Sequence, residues 1–273
     1  MPKNLQGKVI NLVLRKSSKI FLSVIKALFL RELNTRISIG KSGLFWTFFE
    51  PFFQIFIFIS IRVAIVSNGS NSVTTFDYAI FMASGFIAFN MFKNILSGAT
   101  GAFAANKALF NYKQVKPIDT IFGRLLLEVF LSSIIVLLFL FIGFLFGYNV
   151  EPQNIVMVFF AYVWILVFSF SIGLIVAIGN IFFVSIGKFV GMFSFALLIF
   201  SAVFFPINNI PPAVQEILLY NPLVHFMEMI HGYYIYELDD RFVDYQYMLY
   251  WTITPLFIGT WLYIKLEKRI ISQ

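Results

Sequence analysis

Two sets of polar side chains stand where polar side chains are costly. Within the apolar run 78–99 and just past it lie Asn90, Lys93, Ser97 and Thr100, stepping by 3, 4 and 3. On a helix that spacing makes one stripe, with Phe86 a turn further along it. Within 44–66, Glu50, Gln54, Phe58 and Arg62 advance by four and drift slowly around one side. The chemistry open to such stripes is binding rather than bond making. A lysine about six residues inside an apolar run must face protein or water, and its amide and hydroxyl neighbours suit an amphiphilic, sugar-like ligand better than a bare ion. The competing reading is that both stripes join neighbouring helices or, for Arg62, snorkel to the interface.

Other arrangements that could carry chemistry fall short. Gly40-Lys41-Ser42 has the end of a phosphate loop, but Thr35 stands where the first glycine belongs. His225, Glu228 and His231 are spaced i, i+3, i+6, which sets the two imidazoles about 120° apart on a helix and is a poor zinc geometry. Asn68-Gly69-Ser70 reads as a turn before a glycosylation acceptor, and Gly187 to Gly191 is a lone GxxxG match at the edge of a span. No nucleophile lies with a base, so no enzyme site and no metal site are expected.

The elements that must hold the stripes follow from composition. Of 273 residues 60% are hydrophobic and 12% charged, with 37 Phe, against about 45–50% and about 25% in soluble domains. That excludes a soluble enzyme, a disordered chain and a nucleic-acid-binding domain despite the net charge of +7. Cysteine is absent, which removes disulfides and thiol chemistry. Six stretches reach the ~20 residues a helix needs to cross the hydrocarbon: about 44–66, 78–99, 122–147, 155–184, 188–206 and 246–264. Continuous runs such as 134–146 are helical rather than barrel-like. The fold class is therefore all-α, a polytopic six-span membrane protein, with a cytoplasmic interface segment over 1–43 and the transmembrane domain over 44–273.

Orientation follows from the basic residues. Nine precede the first span, and Lys107, Lys113, Lys116 and Arg124 fall in or beside the second-to-third connection, whereas the alternate connections hold Arg241 alone among many acids. Both termini are expected in the cytoplasm, and residues 1–20 lack the clean apolar segment of a cleavable signal peptide. Residues 19–43 read as an amphipathic helix on the inner surface. Residues 103–118, closed by Pro117, read as a short cytoplasmic helix offering Lys107, Phe110, Tyr112 and Lys113 to a partner. Pro206, Pro211, Pro212 and Pro222 break 206–235 into short pieces expected to re-enter the outer leaflet or cap a pore.

Three segments resemble a known family. RELNTRISIGKSGLFWTFFEPFFQ (31–54) resembles the entry of polysaccharide-export permeases of the type-2 ABC transporter superfamily. QVKPIDTIFGRLLLE (114–128) resembles the loop and third-span start of the branch exporting group 2 capsular polysaccharide, and YNPLVHFMEMIHGYY (220–234) the outer segment before the last span. Arg36-Ile37-Ser38-Ile39-Gly40 departs from the Arg-Tyr run of many relatives. The resemblance implies a homodimer in a bacterial inner membrane, joined to a separate ATPase that carries the ATP and Mg, with no cofactor in this chain. It implies a lipid-linked polysaccharide as cargo, and a periplasmic co-polymerase and outer-membrane exporter as further partners. In such a conduit Lys93 is the first candidate to meet an acidic polymer, with Asn90 and Ser97 beside it and Arg62 second, while Phe86, Phe89 and Trp46 would stack on sugar rings. The alternatives are a drug or small-lipid efflux permease of the same superfamily, or a membrane enzyme acting on lipid-linked sugar, for which Glu50 and Glu128 are the candidate carboxylates within spans.

Overall fold

The computed structural model describes residues 17–38, 43–66, 75–145, 147, 150–236 and 238–272. Ten α-helices run in chain order as α1 (Ser17–Ser38), α2 (Gly43–Val66), α3 (Thr75–Thr100), α4 (Ala102–Asn106), α5 (Pro117–Leu145), α6 (Ile155–Phe182), α7 (Ile186–Phe200), α8 (Pro212–Leu218), α9 (Pro222–Tyr234) and α10 (Tyr245–Ser272). Short 3-10 turns at Lys107–Asn111 and Ile207–Asn209 complete the order, and no strand occurs among the described residues.

Each of the six expected spans is a helix, but they differ in reach. Among the described residues, three are long and apolar enough to cross a membrane: Tyr78–Thr100 in α3, Pro117–Leu145 (α5) and Ile155–Phe182 (α6). Among the described residues, Phe48–Phe58 within the 24-residue α2 and Ile186–Phe200 (α7) are shorter apolar stretches. At ~1.5 Å per residue, the 15 residues of α7 reach about 22 Å, less than the ~30 Å of hydrocarbon. It was expected to continue to 206. It stops at Phe200 because the Asn221 amide donates to Phe200 O (2.9 Å) and to Ser201 Oγ (3.0 Å), and Ala202 turns left-handed at φ 56°.

α3 is the central helix. It packs against α2, α5, α6, α7 and α9, and Met82, Ala83, Phe86, Ala88 and Phe89 are enclosed on its length. Inside the protein lies 78% of its most apolar stretch, against 22% for α5 and 39% for α6. α5 starts where Pro117 fixes the first helical position, with Asp119 Oδ2 accepting from Lys116 N at 2.9 Å. α10 lies along α6, close enough at Gly259 that a Cβ would stand 3.3 Å from Leu174 and Ile175.

α1 leans on α5 rather than resting on a lipid surface alone. Ile25 and Leu28 are buried with Phe29, Glu32 and Arg36 half-buried on the same face, a spacing of three and four. Phe29 meets Phe130 edge-on at 5.6 Å and Phe21 meets Phe122 at 6.3 Å. Gly123 permits the approach, since a Cβ there would sit 3.0 Å from Leu28 Cβ. Lys19, Leu22, Lys26 and Leu30 point outward.

The segment before α10 is buried more deeply than expected of pieces dipping into lipid. Residues 223–232 of α9 are all buried, packed on α6 and α3. The three residues singled out for metal spacing each make separate contacts. His225 donates from Nε2 to Leu219 O (2.9 Å) and accepts at Nδ1 from Asp244 N (3.1 Å). Glu228 accepts from Ile207 N at 3.3 Å, and His231 stacks on Phe81 at 3.7 Å.

Candidate functional site: a charged cavity between four helices

The two polar stripes meet. Gln54 Oε1 accepts from Asn90 Nδ2 at 3.4 Å, and Lys93 Nζ lies 3.9 Å from Glu50 Oε1. Glu50 also accepts from Gln54 Nε2 at 3.4 Å. These contacts border a partly open cavity of ≈ 200 Å³ whose polar lining is Arg36, Glu50, Asn90, Lys93, Asn94, Glu128 and Ser132. Trp46, Pro51, Ile87, Leu131 and Ile135 supply its apolar wall. Counted at ~1.5 Å per residue, Lys93 lies about 10 Å from the Thr100 end of α3 and Glu128 about 17 Å from the Pro117 end of α5. Both of those ends adjoin the basic loop 101–116.

Charges in the cavity are arranged in two unlike pairs. Arg36 of α1 binds Glu128 of α5 through a direct ion-paired hydrogen bond, and the Asn94 amide lines the same cavity. The Glu128 side chain is 4% exposed, so this pair is enclosed on the carboxylate side. The Glu50–Lys93 pair is looser, with the carboxylate 60% exposed and the lysine 32%. Below it a second layer ties α1 to the loop end of the bundle. Glu32 sits 3.5 Å from Arg124, Arg124 donates to Gly98 O, and Arg31 donates to Asn106 Oδ1 (2.6 Å) and Ala105 O (3.0 Å).

Of the residues singled out from sequence, the cavity gathers Lys93, Asn90 and Trp46. Ser97 is exposed further along α3 and is not part of the lining. Phe86 and Phe89 are 1% and 0% exposed; Phe86 packs on Phe58 and Phe204, so neither ring faces an opening. The cause is the enclosure of α3 on several sides at once. Arg62 falls in α2, with its side chain outside the described residues. Near the loop, Lys107, Tyr112 and Lys113 are exposed, whereas Phe110 is buried among Ala99, Ala102, Phe103 and Ile121. Phe110 therefore fastens the turn to its own protein, and Tyr112 is the aromatic side chain left facing outward.

The sequence reading missed Asn94, Ser132 and the place of Arg36. Asn94 is one turn from Asn90, and Ser132 one turn from Glu128, so helical spacing alone could have added both. Arg36 and Glu128 are 92 residues apart, and no local pattern joins them.

The amino-acid sequence is similar to those of named proteins. The ABC-2 type transporter family matches residues 23–235. The polysialic acid transport protein KpsM of Escherichia coli is 31% identical over 249 residues, 91% of this chain and 95% of that protein. The capsule polysaccharide export inner-membrane protein BexB of Haemophilus influenzae is 33% identical over 235 residues, 85% of this chain and 86% of its own. The capsule polysaccharide export inner-membrane protein CtrC of Neisseria meningitidis is 26% identical over 250 residues, 92% and 93% of the two chains.

Proposed function

The chain belongs to the ABC-2 type transporter family, and from that premise we propose that it is the membrane-spanning subunit of an ATP-driven exporter. It moves a lipid-linked capsular or similar cell-surface polysaccharide across a bacterial inner membrane. It is a transport permease and not an enzyme, and the ATP and Mg are held by a separate ATPase subunit. The observation that carries this reading is the cavity, which sets paired charges and amides where α1 and α2 meet α3 and α5, two helices long and apolar enough to cross a membrane. Each of the three relatives is named for polysaccharide or polysialic acid transport, which favours that cargo over a drug or small lipid. A lipid-linked-sugar enzyme is disfavoured because Glu128 is committed to Arg36 and Glu50 faces Lys93.

In this reading α2, α3, α5, α6, α7 and α10 are the six spans, both termini are cytoplasmic, and two copies enclose the path between them. The segment 206–235 lies outside, with α8 and α9 capping the outer end. A periplasmic co-polymerase and an outer-membrane exporter continue the route. Exposed Lys107, Tyr112 and Lys113 meet the ATPase, while α1, pinned to α4 and α5 by Arg31, Glu32 and Arg36, carries the movement toward the cavity. Lys93, with Asn90 beside it, lowers the cost of bringing acidic sugars into a low-dielectric passage; Trp46 offers a ring at the cavity wall.

Replacement of Lys93 tests the path. Lys93→Ala should abolish surface polymer and leave it accumulating inside, with the chain still in the membrane and the ATPase still bound. Lys93→Arg should retain much of the export. Normal export by Lys93→Ala would reduce the residue to packing and remove the path assignment.

A further inference from the structure

The two ion pairs in the cavity differ in a way that assigns them different tasks. Arg36–Glu128 is a direct ion-paired hydrogen bond, its carboxylate is enclosed, and the Asn94 amide lines the same cavity. A ligand would have to leave a buried charge unpaired to enter there, which is strongly unfavourable. Glu50 is held otherwise. Its contact to Lys93 is 3.9 Å, its contact to Gln54 is 3.4 Å, and its side chain is 60% exposed. Both distances exceed those of charge-assisted bonds, which run about 2.7–2.9 Å. That exposure leaves the Glu50 side chain room to rotate away from Lys93, which leaves a cavity lined by Lys93, Arg36, Asn90, Asn94 and Ser132.

We infer that Glu50 is a stand-in anion: it neutralises Lys93 while the cavity is empty and yields its place to one acidic group of the cargo. The inference rests on the export reading above. Exchange keeps the net charge of the cavity constant, so Lys93 is at no stage left bare in a low-dielectric surrounding. A neutral sugar offers no charge to replace the carboxylate and leaves Glu50 in place. The cavity volume of ≈ 200 Å³ is below the ~300 Å³ at which ligand pockets begin, so it admits one acidic headgroup or sugar unit and not a stretch of polymer. The acidic group is a phosphate of the lipid linker or a carboxylate of an acidic sugar.

The test uses the full chain purified with its ATPase subunit in a neutral sugar detergent, titrated by native mass spectrometry with three lipids of equal acyl length. These are a phosphatidic acid, a glucuronosyl diacylglycerol and a neutral glucosyl diacylglycerol. The wild type should prefer one or both acidic lipids. Preference for phosphatidic acid alone assigns the site to the linker phosphate, for the glucuronosyl lipid alone to the acidic sugar, and for both to charge itself. Glu50→Gln should bind the preferred lipid about fivefold tighter, the factor an exposed ion pair of ~1 kcal/mol represents, with neutral-lipid binding unchanged. Glu50→Asp keeps the charge but draws it back from Lys93, so it should fall between the two and decides the matter if Glu50→Gln does not fold. Lys93→Gln should erase the preference. Equal binding of acidic and neutral lipids by the wild type would overturn the inference, as would unchanged or weaker acidic-lipid binding in both Glu50 variants. Normal export by Lys93→Ala removes the path reading, whereas a failed Glu50 result with export still dependent on Lys93 removes the exchange alone.

Discussion

Breaking the Arg36–Glu128 pair from the arginine side should be the most damaging single change in the cavity. Arg36→Met keeps the stem and removes the charge, leaving a carboxylate that is 4% exposed without its principal cation. Removing one partner of a buried pair costs about 3–5 kcal/mol. Two features place this case at the lower end: the polar Asn94 amide lines the same cavity, and Arg124 stands one turn earlier on α5. About 3 kcal/mol corresponds to a fall in Tm of about 6–12 °C for a chain of this size. Glu128→Gln should cost less, about 1 kcal/mol, because Arg36 is 34% exposed and can turn to water. The double change Arg36→Met with Glu128→Leu should recover most of the loss, since an apolar pair of similar volume replaces a buried ion pair at little cost. Thermal unfolding in detergent, followed by tryptophan fluorescence, would give the coupling as a double-mutant cycle. An Arg36→Met melting point within about 1 °C of wild type, or losses that simply add in the double variant, would refute the claim that this pair is enclosed.

Phe110→Ala should lower stability by about 3 kcal/mol by emptying a buried aromatic site, whereas Tyr112→Ala should leave the melting point unchanged and reduce co-purification of the ATPase; the reverse pattern would exchange their roles. Because the chain has no cysteine, single cysteines at Gln153 and Asp239 should react with an impermeant thiol reagent outside intact spheroplasts, and one at Lys113 only after the inner membrane is opened. Burial pushes the Glu228 carboxyl up to about 7, with the nearby charge of Asp239 adding to it and the Ile207 N–H and Arg241 opposing. The folded carboxyl thus keeps its proton to about pH 7 while the unfolded one releases it near 4.5, so this group's contribution to stability is fully present below 4.5 and is lost as pH rises through 7. Glu228→Gln should flatten that fall in a melting-point profile between pH 5 and 8; an unchanged slope would assign it to another group.

The existence of the long helices was legible because 20-residue apolar runs leave few other structures possible in a membrane. Their ends were less so: α7 is cut short by an amide from Asn221, 21 residues away. The polar stripes were also legible, since each cavity-facing residue on α2 and α3 repeats at helical spacing. What the stripes faced was not, because the answer lies in which helix packs where. Phe86 and Phe89 share the apolar character of any lipid-facing phenylalanine, and only the enclosure of α3 distinguishes them. Phe110 sits between two lysine-bearing turns that look solvent-exposed, yet its ring fills a gap between α3, α5 and α6.

Of the three helices able to cross a membrane by themselves, the least apolar is the most enclosed. For α3 this has a bearing on biogenesis. A lysine within a bilayer helix opposes partition from the translocon by up to ~3 kcal/mol, and Lys93 is accompanied by Asn90 and Asn94. The counter-charge that meets it, Glu50, belongs to the helix synthesised just before, so α2 and α3 can leave the translocon as a hairpin whose charges are already matched. The same order serves α5: Arg124 and Glu128 emerge after their partners Glu32 and Arg36 of α1. The order of synthesis therefore offers Lys93, Arg124 and Glu128 a counter-charge made earlier, so that these charges of α3 and α5 can be matched as their helices enter the membrane.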